Sequence, residues 1–95
     1  MKLVLVTGAS TGIGRAVAVE LGKKGYTVGL VARRKEKLEE TKKLVEAAGG
    51  KAEVFVCDLA DVAQVNGLIQ SVKAKFDHLD ALVNVADVWH LDNKH

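Results

Sequence analysis

The chain contains no proline, one cysteine and few aromatic side chains, which make up 4% of its 95 residues. Without proline or a low-complexity stretch there is no linker and no visible domain boundary. With Cys57 alone no disulfide forms within the chain. So few rings leave Val, Leu, Ile and Ala to build the core, which suits a parallel sheet covered by helices. Charge of one sign is also scarce. The net charge of +2 is too mild to argue for nucleic acid, and the basic residues come in pairs near helix ends rather than in one stripe. No apolar run approaches the roughly 20 residues of a membrane span. The apolar start, Leu3-Val4-Leu5-Val6, is too short for a signal peptide and ends in glycines. The expectation is a soluble, cytoplasmic protein with neither membrane nor nucleic acid as partner. The hydrophobic share of 48% fits one small globular domain that buries a modest fraction of its surface.

The informative stretch is Thr7-Gly8-Ala9-Ser10-Thr11-Gly12-Ile13-Gly14. It follows the apolar run, which reads as a buried strand, and precedes Arg15-Ala16-Val17-Ala18-Val19-Glu20-Leu21, which reads as a helix. A strand, a glycine turn and a helix in that order make a phosphate site. Glycines let the backbone turn sharply and let a pyrophosphate approach without meeting a Cβ. The helix start offers unpaired N–H groups and a positive dipole end. Ser10 and Thr11 add hydroxyls. The spacing is Gly-x-x-x-Gly-x-Gly, and no Lys-Ser or Lys-Thr pair follows, which argues against a nucleoside-triphosphate loop. A glycine turn can also bind nothing; the flanking elements and the motifs downstream weigh against that.

These residues resemble the cofactor loop of the short-chain dehydrogenases/reductases, and the resemblance runs from Met1 to about Ala86. It implies that Gly8, Ser10, Thr11, Gly12, Ile13 and Gly14 hold a dinucleotide. The second strand, Tyr26 to Ala32, ends in Arg33-Arg34. About 20 positions past the glycines of a dinucleotide fold, an acidic residue would accept from the ribose 2′-hydroxyl and repel a 2′-phosphate. Here no carboxylate stands there, and two guanidiniums can grip a phosphate by charge and paired donors. In the family an arginine at this point goes with NADP(H). The plain alternative, a solvated helix start, places basic residues poorly against the dipole. NADP(H) is therefore expected over NAD(H).

Leu38, Thr41, Leu44, Val45 and Ala48 recur at helical spacing in a second helix from about Lys35, ended by Gly49-Gly50. The third strand and its exit run from Ala52 to Leu59. Asp58-Leu59 resembles the family's step in which the carboxylate and the next N–H contact adenine; taken alone, Asp58 also reads as a turn carboxylate. Cys57 reads as a small buried hydrophobe. Asp61 with Gln64 looks like a capping box, and Val62, Val65, Leu68, Ile69, Val72 and Phe76 mark a buried stripe on the third helix. The fourth strand, Leu79 to Val85, leads into Asn84-Val85-Ala86-Asp87 where the family has Asn-Asn-Ala-Gly. Asn84 and Ala86 match, and the resemblance places them beside the nicotinamide-side ribose. His90 and His95 are five apart, poor for one helical face; a metal site shared with His78 is the alternative, and surface histidines are the expected reading.

The family's Tyr-x-x-x-Lys pair is missing: Tyr26, the only tyrosine, is followed four residues on by Leu30. The expected architecture is a three-layer Rossmann-like α/β unit, βαβαβαβ, with a parallel sheet in the order 3-2-1-4 over residues 1–86 and a divergent tail at 87–95. The expected function is an NADP(H)-binding module resembling the N-terminal half of a short-chain oxidoreductase, with no catalysis alone. Alternatives are a truncated or engineered folding fragment with a vestigial loop, or half of an oxidoreductase completed by another chain. An S-adenosylmethionine transferase usually wants an acidic residue where Ala32-Arg33 stands. An uncovered parallel edge at strand four, near Trp89 and Leu91, points to a homodimer or larger assembly.

Overall fold

The computed structural model describes residues 3–10, 12–76 and 81–84. The tail, Ala86, the three histidines and Thr11 lie outside the described residues. Strands and helices alternate in the order β1 (Leu3–Thr7), α1 (Gly12–Lys23), β2 (Thr27–Ala32), α2 (Lys35–Ala47), β3 (Lys51–Val56), α3 (Val62–Lys75) and β4 (Ala81–Asn84). All pairings are parallel, and the sheet order is β3-β2-β1-β4, as the sequence predicts. The register sets Thr7 beside Val31 on one side and beside Asn84 on the other.

Alternation along the strands separates two cores. Val4, Val6, Val28 and Leu30 pack with Ala18 of α1 and with Leu38 and Val45 of α2. Leu3, Leu5, Val31 and Phe55 point the other way and pack with Val72 of α3. So α1 and α2 cover one face and α3 the other, the arrangement that right-handed crossovers dictate. Among the described residues no helix is long and apolar enough to cross a membrane.

Helix ends follow the local chemistry. At the end of α1, the Gly25 N–H donates to the Gly22 carbonyl at 3.1 Å and the Tyr26 N–H to the Leu21 carbonyl at 3.2 Å. At the end of α2, the Gly49 N–H reaches the Glu46 carbonyl and the Gly50 N–H the Val45 carbonyl, both at 3.0 Å. Gly25 and Gly49 carry the positive φ these closures need, 96° and 94°.

Several expectations need correction. Tyr26 lies before β2, packed at the edge of the α1–α2 core, and β3 begins at Lys51 and stops at Val56. Leu44 is exposed rather than part of the buried stripe of α2. On α3 only Val72 is buried; Val65, Leu68 and Phe76 are half-buried, and Val62 and Ile69 are 75% and 45% exposed. The spacing predicts one buried stripe, but among the described residues a single helix meets this face and nothing packs on its outer flank. The capping box is also rewired. Asp61 Oδ1 accepts from the N–H groups of Ala63 and Gln64 at 3.0 and 3.3 Å. The Gln64 side-chain oxygen, however, takes the N–H of Asp58 at 2.8 Å, because the Asp61 N–H is already given to the Asp58 carbonyl.

Candidate functional site

Gly8 turns the chain away from β1 with φ of 66°, and Gly12 opens α1 with φ of 58°. Both are left-handed conformations that residues with a Cβ rarely adopt. A Cβ on Gly12 would meet nothing within 4 Å, so the space before the helix start is open. A Cβ on Gly14 would run into the Gly8 carbonyl oxygen, so the first turn of α1 lies directly on the loop's own backbone. That first turn holds no acidic residue, and no carboxylate there competes with an anion for the helix dipole. Ser10 is half-buried in the loop, and Ile13 is 73% exposed.

The loop is tied to β2 and α2. The Ala9 N–H donates to the Val31 carbonyl at 3.2 Å, which sets the loop against the end of β2 just before Arg33 and Arg34. Both arginines are exposed, and neither has an ion-pair partner among the described residues. Arg34 is the N-cap residue of α2, extended at φ −101° and ψ 110°, and makes no side-chain cap bond. Arg15 is engaged instead: its Nε donates to the Thr41 hydroxyl at 2.9 Å, and its Nη2 lies 3.2 Å from both Glu40 Oε1 and the Lys37 carbonyl. The sequence reading missed this cluster, because Thr41 passes for one more member of a helical stripe. The signal was a hydroxyl at a buried helical position facing a helix that starts from a glycine loop.

The third candidate pair sits on the same rim. The Cys57 N–H donates to the Ala32 carbonyl at 2.8 Å, carrying the pairing past the end of β3, so that Asp58 follows at the same end of the sheet as Arg33. Asp58 Oδ1 closes a turn by accepting from the Ala60 N–H at 3.0 Å, so the turn-carboxylate alternative holds for that oxygen. Oδ2 makes no bond to a described residue. Leu59 is exposed beside it. At the end of β4, Asn84 Oδ1 accepts from the Thr7 hydroxyl at 2.7 Å, which joins the central strand to the last one. The described candidates thus all gather at the C-terminal rim of the sheet, where ligands of open α/β sheets bind.

Cys57 is buried, and burial pushes its thiol pKa up, with the carboxylates of Asp58 and Asp61 adding to the effect. A raised pKa keeps the thiol protonated and unreactive. Among the described residues no three His, Cys, Asp or Glu side chains are grouped to hold a metal. Below the rim an apolar groove of about 430 Å³ opens between α3 and the β1–β4 side of the sheet, walled by Leu5, Leu68, Ile69 and Leu82.

The sequence matches the family described as short chain dehydrogenase over residues 2–94. It is 46% identical over 85 residues to a fatty acyl-CoA reductase of Acinetobacter baylyi, covering 90% of this chain and 29% of that enzyme. A metagenomic short-chain oxidoreductase crystallised with NADP superposes with a TM-score of 0.87 at 42% identity, over 92% of this chain and 39% of the other. An NAD+-bound xylitol dehydrogenase superposes at 0.81 with 36% identity, over 85% of this chain and 31% of the other. The chain therefore spans well under half the length of these relatives, and they include both cofactor types.

Proposed function

Because this chain belongs to the short chain dehydrogenase family, we propose that it binds NADP(H) at the C-terminal rim of its sheet, in preference to NAD(H). The observation that carries this is Arg33 and Arg34, exposed at the end of β2 and without ion-pair partners among the described residues, while neighbouring Arg15 is held by Glu40 and Thr41. The pyrophosphate lies in the open space before Gly12, against the N–H groups of α1. The 2′-phosphate lies at the start of α2, gripped by the arginines. Asp58 Oδ2 and the Leu59 N–H face adenine, and Asn84 borders the nicotinamide-side ribose. The chain alone transfers no hydride, since Tyr26 cannot supply a Tyr–Lys pair.

We also propose that this chain associates through β4 and the groove beside it. Leu82 is 58% exposed and Ile69 45%, on a parallel edge strand of a kind normally covered on both faces. A homodimer is the favoured assembly, and a separate chain that completes an oxidoreductase is the second reading.

Titrating the purified chain with NADPH and NADH tests the cofactor reading. NADPH binds more tightly, and Arg33→Ala weakens NADPH by about tenfold or more, since a charge-assisted hydrogen bond is worth ~1.5–3 kcal/mol. NADH changes little. Equal affinity for the two cofactors in the unmutated chain overturns the preference.

A further inference from the structure

One hydrogen bond joins the glycine loop to the middle of the following unit. The Thr41 hydroxyl donates to the Ala9 carbonyl at 2.8 Å, across 32 residues of sequence, and both residues are fully buried. A hydroxyl has one proton, and a second carbonyl, that of Lys37, lies 3.3 Å away within the same helix. Threonine in a helix commonly bonds back to the carbonyl four residues earlier. Here the shorter, buried contact to Ala9 takes the proton, and Arg15 Nη2 serves the Lys37 carbonyl at 3.2 Å. Arg15 Nε donates into the Thr41 oxygen at 2.9 Å, which directs the hydroxyl proton away from itself and toward Ala9. The relay therefore runs from Arg15 through Thr41 to Ala9.

Ala9 lies before Gly12 and Arg15 after it, so α2 holds both flanks of the loop. The same helix begins at Arg33-Arg34. We infer that Thr41 is a positioning residue for the dinucleotide site, fixing the glycine loop against the helix that starts at the arginines. This rests on the NADP(H) reading above. Thr41 touches no part of a bound cofactor; it acts by supplying a donor to a loop carbonyl that water cannot reach.

The test is Thr41→Val, which keeps the shape and removes the hydroxyl, beside Thr41→Ser, which keeps the hydroxyl. Thr41→Val weakens NADPH and NADH alike by about tenfold, because both share the pyrophosphate, and so leaves their ratio unchanged. Thr41→Ser restores both affinities. Amide exchange in the 8–14 segment speeds up in Thr41→Val and not in Thr41→Ser. Affinity and exchange that match the unmutated chain in a folded Thr41→Val protein overturn the inference. If that variant does not fold, Arg15→Met takes its place: it keeps Thr41 but removes the donor that aims it, and weakens both cofactors several-fold. Unchanged affinity there overturns the relay. Gly12→Val marks the boundary with the cofactor reading, since it blocks the pyrophosphate without touching Thr41. If the unmutated chain binds neither cofactor, that reading fails, and the exchange rates alone then decide whether Thr41 orders the loop.

Discussion

The two faces of this sheet are built to different standards. On the face under α1 and α2, Val6, Ala18, Val28, Leu30, Leu38 and Val45 are all fully buried, and the polar Thr41 among them is hydrogen-bonded. On the face under α3 the strands supply Leu3, Leu5, Val31 and Phe55, but the helix answers with one buried residue, Val72. Two helices knit together by Arg15 and Thr41 close the first face. Among the described residues a single helix, pinned at its start by Asp61 and at its last turn by the Lys75–Glu53 ion pair at 3.1 Å, closes the second. That ion pair is exposed and worth about 1 kcal/mol or less. The proposed site draws on the first standard: its loop and its arginines belong to the α1–α2 side, where a rigid frame can hold a phosphate contact to fractions of an ångström.

The largest test of this difference is a pair of truncations. Leu38→Ala removes a fully buried side chain from the closed face and costs about 2–5 kcal/mol, as large-to-small core changes do. Ile69→Ala, on the face under α3 and 45% exposed, costs less than about 1 kcal/mol at dilutions where the chain is monomeric. Urea unfolding of both variants reads the difference. Equal losses would mean that the face under α3 is as well packed as the other.

The same contrast explains what the sequence revealed. The strand–loop–helix order, the strand order 3-2-1-4 and the caps at Gly25 and Gly49 are local or handedness-driven, and a single sequence carries both kinds of information. The stripe on α3 has correct helical spacing, yet burial depends on what lies opposite, which spacing does not encode. Gln64 has the right type and position for a capping box, but its partner was decided by the competing Asp61–Asp58 backbone bond. Thr41 was invisible as a site residue because its partner, the Ala9 carbonyl, is a backbone atom brought close by tertiary folding. The place of Arg33 and Arg34 between β2 and α2 was legible because the apolar strand before them and the helical spacing after them are both local patterns.

An intermediate effect is expected at the β4 edge. If the groove beside α3 is where copies meet, Leu82→Lys places a charge in the contact and shifts the population to monomer. Sedimentation across a dilution series should show the dissociation constant rising by more than about tenfold, with NADPH affinity kept. A clean monomer at every concentration in the unmutated chain would remove the assembly and leave the groove as an exposed flank.

The smallest effect is expected at Cys57, which lies in the core under α3 and so reports how firmly that thinner face stays shut. Its thiol is raised above the ordinary value of 9.0, first by burial and then by Asp58 and Asp61. The sign follows from proton binding: above the unfolded value the folded chain holds a proton that the unfolded chain has released. The thiol's contribution to stability is therefore complete below about pH 9 and declines as the pH rises through the folded value. Every other group is common to both proteins, so the informative quantity is the difference between the unmutated chain and Cys57→Ala. Their urea midpoints should run parallel from pH 7 to 8.5 and converge above pH 9, as the unmutated chain loses what Cys57→Ala never had. Parallel curves throughout would mean that water already reaches the thiol, and that the core under α3 is open at its Asp58 end.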